Sequence, residues 1–486
     1  MQAAKILTRS ARAFFSGTFL SRLTGFGRDL AMAVCFGATP AVAAFMIAFR
    51  FANLARRLFG ESPLASSFIP HFETLRLESP EKALKFFCDF FASMALVLIA
   101  IIIPAMFLLP SGDVANLTRL MLPGLFFICL YGLSSAYLQC ENRFFLSSAA
   151  PIAFNAIWIF AVLAFRYDEF AMHHLSIAVV VAFALQWLVS FVPIFKELTW
   201  SFVKTTRPFS AEVRAVMLPF ALGILGVGAS QINNALDALF ARYASLEGPA
   251  YLWYAIRLQQ LPLVLFGMAW STALLPALAK ERTLALLQYA IEKCALFLIP
   301  VSFALIPCAA AGVNLLFGHG GFTSEATYQT TLCLWGYGLG LFPSALVMML
   351  AAFAFAQKNY RIPSVAAVLT VGVNLILNSL MVFVFRWGVL SIAIATSLSQ
   401  IFNALYLMNA YKPFDAALKK TLIRLTVYSG IAAFISVLFY PDPLFQGVDF
   451  PRTIGAQLLN LIYPFICFLV IFALLLKFVP KRFLYR

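Results

Sequence analysis

Acidic side chains are scarce in this sequence. Twenty aspartates and glutamates stand against 35 lysines and arginines, and charged residues of both signs make up only 11% of the 486 residues. Soluble domains carry about 25% charged residues, so a soluble globular fold is excluded. Four histidines, His71, His173, His174 and His319, are too scattered to form a metal constellation. The eight cysteines include no C-x-x-C pair, and nearly all sit in apolar runs. That excludes a zinc ribbon or a redox dithiol and fits small buried hydrophobes. There is no nucleophile elbow, zinc signature or pair of catalytic acids, so no enzyme chemistry is expected.

Long hydrophobic runs fill the space that charge leaves. Hydrophobic residues make up 62% of the chain and the mean hydropathy is +0.90, as in an all-α polytopic membrane protein. A spanning helix needs about 20 apolar residues. The runs predict about fourteen spans: 12–37, 41–69, 83–109, 117–140, 149–166, 174–195, 213–241, 249–279, 286–312, 326–356, 363–385, 388–411, 421–440 and 454–477. Lys5, Arg9 and Arg12 before the first run imitate a signal peptide. Arg22, Arg28 and Asp29 interrupt that run, so it reads as a retained first helix. Alternating the loops puts twenty-three basic residues on the side of both termini and four, Arg166, Arg242, Arg386 and Arg452, on the other. The positive-inside rule then places both termini in the cytoplasm. Basic residues spread over eight loops and tails make nucleic acid a poor partner.

Residues 21–70 break the apolar pattern in a way that matters. They contain Arg22, Arg28, Asp29, Arg50, Arg56, Arg57 and Glu61. A charge at mid-bilayer depth costs about 2.5–3.5 kcal/mol on insertion scales, so five arginines facing lipid would cost on the order of 12–18 kcal/mol. They are expected to face a water-filled cavity, and a basic cavity suits an anionic cargo. Arg50, Asn53 and Arg57 share a helix face by their i, i+3, i+7 spacing, Glu61 continues it, and Arg56 lies about 100° round from Arg57. The functional reading is a guanidinium cluster gripping phosphate bidentately. The structural alternative is a salt-bridge net of Arg57 with Glu61 and Arg28 with Asp29, but five arginines exceed two acids.

An internal repeat joins Arg257 to this set. AFRFANLARRLFG, 48–60, aligns with AIRLQQLPLVLFG, 255–267, matching Ala48 to Ala255, Arg50 to Arg257, Leu54 to Leu261, Leu58 to Leu265, Phe59 to Phe266 and Gly60 to Gly267. Both then run to a proline, Pro70 and Pro276, and Ser21 and Ser230 open the preceding spans. The second span matches the eighth, so the repeat is parallel, with the site expected between the halves. The expected layout is an N-terminal lobe of six spans over 1–196, an interfacial cytoplasmic linker over 197–212, a second six-span lobe over 213–412, and two further spans with a basic tail over 413–486. A second polar set lies in the later lobe: Asp237 in the seventh span, Asn374 and Asn378 in the eleventh, Thr396 in the twelfth. Oxygen ligands of this kind suit a hard cation such as sodium, while interhelical hydrogen bonding is the plainer alternative. Ser230, Gln231, Asn233 and Asn234 read as similar glue. The GYGLG at 336–340 lies inside an apolar span and is weak as a phosphate loop.

SRLTGFGRDL at 21–30 and FGATPAVAAFMIAFRFANLARRLFGESPLASSFIP at 36–70, with YAIRLQQLPLVLFGMAWSTALLP, LFGHGGFT and AQKNYRIPS, resemble the MurJ/MviN family of lipid II flippases. The resemblance implies a fourteen-helix member of the multidrug/oligosaccharidyl-lipid/polysaccharide exporter superfamily. Such a protein would move undecaprenyl-diphosphate-linked peptidoglycan precursor across the bacterial cytoplasmic membrane by alternating access. It implies that Arg22, Arg28, Arg56 and Arg257 line a central cavity, with Asp29 and Glu61 beside them, and that cell-wall synthesis enzymes are candidate partners. Ala43 and Ile256 stand where the family often has acids, and Asn378 stands where some members have a sodium-binding aspartate. That substitution weakens sodium coupling, and coupling to membrane potential stays open beside it. No resident cofactor is expected. An exporter of another polyprenyl-diphosphate-linked oligosaccharide is the alternative cargo reading. A cationic-drug exporter would need an acidic cavity. A membrane enzyme acting on prenyl phosphates would need an acidic metal cluster, and Glu73, Glu78, Glu81 and Asp89, read as exposed, are too dispersed.

Overall fold

The computed structural model describes residues 2–59, 62–198, 204–271, 274, 278, 283–357, 359–439 and 450–476; the side chains of 2–15, 55, 62, 63, 66, 225–227, 229 and 230 are not among them. Glu61, Pro276 and the side chain of Ser230 therefore lie outside the described residues. The fold is all α-helical, with no strand among the described residues. Two compact units emerge: Met1–Phe36 with Pro40–Ala235, and Gly37–Thr39 with Leu236–Arg486.

In the first unit the helices are α1 (Gln2–Phe36), α2 (Pro40–Phe59), α3 (Ser62–Glu78), α4 (Pro80–Leu108), α5 (Asp113–Cys140), α6 (Phe144–Ala149), α7 (Pro151–Ala164), α8 (Ala171–Phe195) and the first part of α9 (Ala211–Ala244). Helix α5 is central. It packs on α2, α4 and α8, while α7 packs on α8 and α1. The hub between them is aromatic: Phe49, Phe154, Trp158 and Phe183 stack or meet edge to face within 6.3 Å. Buried hydroxyls are satisfied inside their own helices, as Ser93, Ser134 and Ser176 show by donating to carbonyls one turn back.

The second unit contains the end of α9, then α10 (Gly248–Pro262) running into a π-helical turn (Leu263–Met268), α11 (Leu284–Phe317), α12 (Ser324–Gly338), α13 (Leu341–Ala356), α14 (Arg361–Ser379) with a second π turn (Leu380–Val384), α15 (Leu390–Tyr411), α16 (Ala416–Phe439) and α17 (Ile454–Leu476). Helix α12 packs on α10, α11 and α15, and α14 packs on α15. By order of apolar segment this repeats the first unit: fourth on second, third and sixth, fifth on sixth. A duplicated six-segment unit produces that order of pairing. Helices α16 and α17 pack on α11 and on each other through Ile299, Leu425, Ala432, Phe468 and Phe472. Prolines 104, 123, 300 and 307 lie inside helices, as membrane helices tolerate. The glycines of 336–340 mark a 41° bend between α12 and α13. A Cβ at Gly336 would stand 2.8 Å from the Ala393 Cβ, and one at Gly340 2.7 Å from the Ser397 Oγ. Close helix packing, with no phosphate loop, accounts for this motif.

Each of the fourteen apolar segments coincides with one helix or with consecutive helical pieces. Among the described residues nine helices are long and apolar enough to cross a membrane, or ten counting the bent pair. Fourteen thus stands as a count of segments, not of helices meeting that test. The arginine-bearing α1 and α2 are not among the nine.

One expectation about the first unit changes. Asp89, read as an exposed acid, is 3% exposed on α4. Its carboxylate accepts the Arg207 N–H at 2.7 Å, and Ser93 Oγ accepts the Phe209 N–H at 2.8 Å, fastening the segment before α9. The acid is buried because its partner is backbone. Arg119 donates to the carbonyls of Met106 and Leu109 and so closes the α4 C-terminus.

Candidate functional site

Helix α2 carries the arginines because its N-terminal half, 42–49, is wholly buried and fixes the helix, while the turns after Phe49 emerge from that core. Arg50 donates to the Asn234 carbonyl at 3.2 Å, and Arg57 donates to Gln231 Oε1 at 3.0 Å. Arg50 and Arg57 are two turns apart on α2, and residues 231 and 234 are one turn apart on α9. The two rungs therefore zip the helices along one line. Arg56 points elsewhere, with its Nε bonded to Asn53 Oδ1 at 3.1 Å. The face shared by Arg50 and Arg57 is thus realised, and Asn53 serves Arg56. Each of these three contacts is to a neutral oxygen and helps fix the direction of its guanidinium group.

Arg22 is exposed on α1. Arg28 follows six residues later, roughly 120° round the helix, and is buried. Its Nη2 and Nε reach Asp29 Oδ1 at 2.7 and 3.0 Å, and Nη1 reaches Asn155 Oδ1 at 3.3 Å. The guanidinium lies over the Trp158 ring at 4.7 Å, with Phe49 and Phe154 at 6.0 Å. This is the structural alternative for Arg28 and Asp29: an ion pair sealed in an aromatic box. Sequence reasoning missed Asn155 and Trp158. The available signal was an amide alone in the apolar run PIAFNAIWIF, which a membrane helix does not leave without a partner.

In the second unit Arg257 lies 4.4 Å over the Trp253 ring. The structure brings Asp237, Asn374, Asn378 and Thr396 together. Asn378 Nδ2 donates to Asp237 Oδ1 and to Asn374 Oδ1, each at 2.8 Å. Thr396 Oγ1 donates to Asp237 Oδ2 at 3.2 Å. Asn378 is fully buried, and its Oδ1 has no hydrogen-bond partner among the described residues. No cluster of three His, Cys, Asp or Glu side chains occurs among the described residues.

The family model described as lipid II flippase MurJ matches residues 32–443. This chain belongs to the lipid II flippase MurJ family. The matched stretch contains Arg50, Arg56, Arg57, Arg257 and the Asp237 set. A probable lipid II flippase MurJ of Chlamydia pneumoniae is 35% identical over 414 residues, covering 81% of this chain and 75% of that protein. Among solved structures, a lipid II flippase MurJ in an inward closed conformation aligns with a TM-score of 0.79 at 24% identity, covering 96% of this chain and 98% of that one. An inward-facing multidrug transporter of the MATE family aligns at 0.66 and 17% identity, covering 85% and 99%. Both structural likenesses speak to the fold. The family is one of flippases, and the chain is a multi-pass membrane protein of that kind.

Proposed function

We propose that this protein carries lipid II, the undecaprenyl-diphosphate-linked peptidoglycan precursor, from the inner to the outer leaflet of the bacterial cytoplasmic membrane, with both termini in the cytoplasm. Membership of the MurJ family supports the cargo. The observation that carries the mechanism is the row of guanidinium groups on α2, aimed by Asn53, Gln231 and the Asn234 carbonyl. A diphosphate is a compact dianion, and planar guanidinium forks bind its oxygens in pairs. Arg22, Arg50, Arg56 and Arg57 of the first unit are the proposed headgroup ligands, while the prenyl tail stays in lipid. No bond is made or broken, so transport needs only alternate opening to each side. Reconstitution into vesicles with fluorescent lipid II tests the reading. The pair Arg50→Ala with Arg57→Ala is expected to slow flipping at least roughly tenfold, the effect of losing interactions that exceed about 1.4 kcal/mol, with the thermal midpoint held. Unchanged flipping by that folded variant rejects the proposal. Flipping of another polyprenyl-diphosphate oligosaccharide in place of lipid II would favour the alternative cargo.

A second reading concerns coupling. Asp237, Asn374, Asn378 and Thr396 present one carboxylate, two amides and a hydroxyl, a donor set that fits a monovalent hard cation. The unpartnered Asn378 Oδ1 supports it. A bound sodium ion would place positive charge beside the buried Asp237 carboxylate. Sodium chloride is expected to raise the thermal midpoint relative to choline chloride, and Asp237→Asn is expected to abolish that difference. A sodium shift that persists in Asp237→Asn refutes the site.

A further inference from the structure

The fifth segments of the two units end alike. Helix α7 runs out into Phe165, Arg166 and Tyr167, and α14, through its π turn, runs out into Phe385, Arg386 and Trp387. Setting Arg166 against Arg386 aligns the helix ends before them. Val162 and Val382 are both buried, as are Ala161 and Met381. Phe160 and Leu380 are both exposed, as are Leu163 and Phe383. At one register, then, one face of each helix end packs inward and the other presents apolar side chains outward. The two arginines are exposed beyond that outward face, with Tyr167 87% and Trp387 56% exposed beside them. In the first unit the Arg166 guanidinium lies 4.5 Å from the Tyr167 ring centre. Asp168, the next residue, is engaged by the Phe170 N–H and by His174 Nδ1, each at 2.8 Å. In the second unit Trp387 stacks on Phe385 at 5.5 Å. The Phe385 and Trp387 N–H groups donate to the carbonyls of Leu380 and Met381 at 2.9 and 3.1 Å. Arg386 between them is held at a left-handed φ of +54°, which a residue with a Cβ adopts only at a cost.

We infer that each Phe-Arg-aromatic turn is a docking site for the headgroup of an anionic phospholipid. The guanidinium pairs with the lipid phosphate, and the rings lie at the level of the glycerol and acyl carbonyls. Alternation of the segments puts both turns on the side opposite the termini, where the loops carry only four basic residues, and Arg166 and Arg386 are two of them. Topology disfavours arginine on that side, so its recurrence at one register of two repeats is explained by a contact. Exposed aromatic rings at the end of an apolar helix face sit at the boundary between membrane and water. An arginine at that depth reaches the phosphate layer and binds phosphate oxygens through paired N–H groups. A soluble anion would account for the arginine, but not for the outward apolar face that leads to it. Phosphatidylglycerol fits better than phosphatidylcholine, because no ammonium in the same molecule answers its phosphate. The lipid contact stands on the geometry of each unit and needs no transport. Only its assignment to the outer leaflet rests on the topology proposed above.

Fluorescence of Trp387 in vesicles tests the contact. Its share of the emission from seven tryptophans is the difference between the unsubstituted protein and Trp387→Phe. Phosphatidylglycerol or phosphatidylcholine, brominated near the headgroup end of one acyl chain and diluted in plain phosphatidylcholine, quenches that share on contact. Phosphatidylglycerol is expected to be preferred by roughly fivefold, the contribution of one basic side chain near an anionic membrane surface. Arg386→Gln is expected to bring the preference to within about twofold of none, while Arg361→Gln, at the other end of α14, leaves it in place. Equal quenching by the two lipids overturns the inference, and so does a preference that survives Arg386→Gln. A preference lost equally in Arg361→Gln overturns it too, because it would report net charge and no site. Arg386→Gly, which removes the charge and relieves the left-handed strain, serves where Arg386→Gln does not fold. Tyr167→Trp in the Trp387→Phe protein reads the first unit against Arg166→Gln in the same way. Labelling of Glu169→Cys by an impermeant maleimide on intact cells reads the leaflet by itself. Labelling that needs permeabilised cells would reject the proposed topology and leave the lipid contact to stand or fall on the quenching.

Discussion

The fastening of the segment ahead of α9 yields a prediction that can be worked through. Asp89→Ala removes the acceptor of the Arg207 N–H, a 2.7 Å bond to a buried carboxylate. Ser93→Ala removes the acceptor of the Phe209 N–H at 2.8 Å. A hydrogen bond to a charged group contributes about 1.5–3 kcal/mol and a neutral one about 0.5–1.5 kcal/mol. Phe209 also sits at a left-handed φ of +57°, which costs a residue with a Cβ roughly 1–2 kcal/mol. Amide exchange tracks the free energy of local opening, at a factor of ten per about 1.4 kcal/mol. Asp89→Ala should therefore speed deuterium uptake at Arg207 by roughly 10- to 150-fold, and the double variant should speed it by roughly 30-fold at least. Hydrogen–deuterium exchange of peptides covering residues 204–210, read by mass spectrometry in nanodiscs, measures it, with peptides of α17 as the internal control. Uptake within about twofold of the unsubstituted protein in both variants would refute the reasoning, because the carboxylate and hydroxyl would then be bystanders to a segment held by something else.

Other substitutions separate positions that look alike in sequence. Gly37 has φ +65° and an added Cβ would lie 2.2 Å from the Gly321 carbonyl oxygen, whereas nothing lies within 4 Å of one at Gly27. Gly37→Ala should lower the thermal midpoint sharply, while Gly27→Ala should raise stability by up to about 1 kcal/mol from helix propensity; equal midpoints would contradict both. Lys412 ends α15 at φ +43°, so Lys412→Gly should stabilise by about 1 kcal/mol in thermal unfolding. Tyr254 Oη donates to the Gly37 carbonyl at 3.0 Å; Tyr254→Phe should cost about 1 kcal/mol, and a cost no larger than that of the exposed Tyr243→Phe would count against a structural role. Asn155→Ala should cost about 1–3 kcal/mol, since it removes the acceptor of Arg28 Nη1 and the donor to the Ser21 carbonyl and Thr24 Oγ1; an unchanged melting curve would show that α1 is held by packing alone.

Helical segments were legible because a run of about 20 apolar residues has few other uses. The shared face of Arg50 and Arg57 was legible for a related reason: two cations seven residues apart in an apolar helix must find polar company in one direction. Asp237, Asn374, Asn378 and Thr396 stood out as oxygens in otherwise apolar spans, and they do meet. Asn155 was overlooked because its partner Arg28 lies 127 residues away and an isolated amide gives no hint of distance. The burial of Asp89 was invisible for a deeper reason. Its partner is a backbone N–H, which every residue but proline carries, so no side-chain pattern encodes it. Nine helices, or ten with the bent pair, reach the length and hydropathy of a span among the described residues; runs bearing arginines and bends are as long without reaching that hydropathy.

The two asparagine joints, Asn155 with Arg28 and Asn378 with Asp237, explain why one family can keep so many arginines in so apolar a chain. A buried cation persists only if its partner is buried with it, and Arg28 meets that condition by sitting beside Asp29 in sequence, so neither group waits on distant folding for its counter-charge. Asp237 has no arginine at its register. Its carboxylate accepts from the Asn378 amide and the Thr396 hydroxyl. Duplication thus produced two copies of one joint built around opposite charges. An ion that neutralises Asp237 would change how firmly α9 and α14 hold together, and α9 also carries Gln231 and the Asn234 carbonyl that aim Arg57 and Arg50. Cation occupancy at Asp237 should therefore alter diphosphate affinity at the α2 arginines. Farnesyl diphosphate titrations in sodium and in choline chloride would test this, and identical affinities in the two salts would mean that the joints are electrically independent.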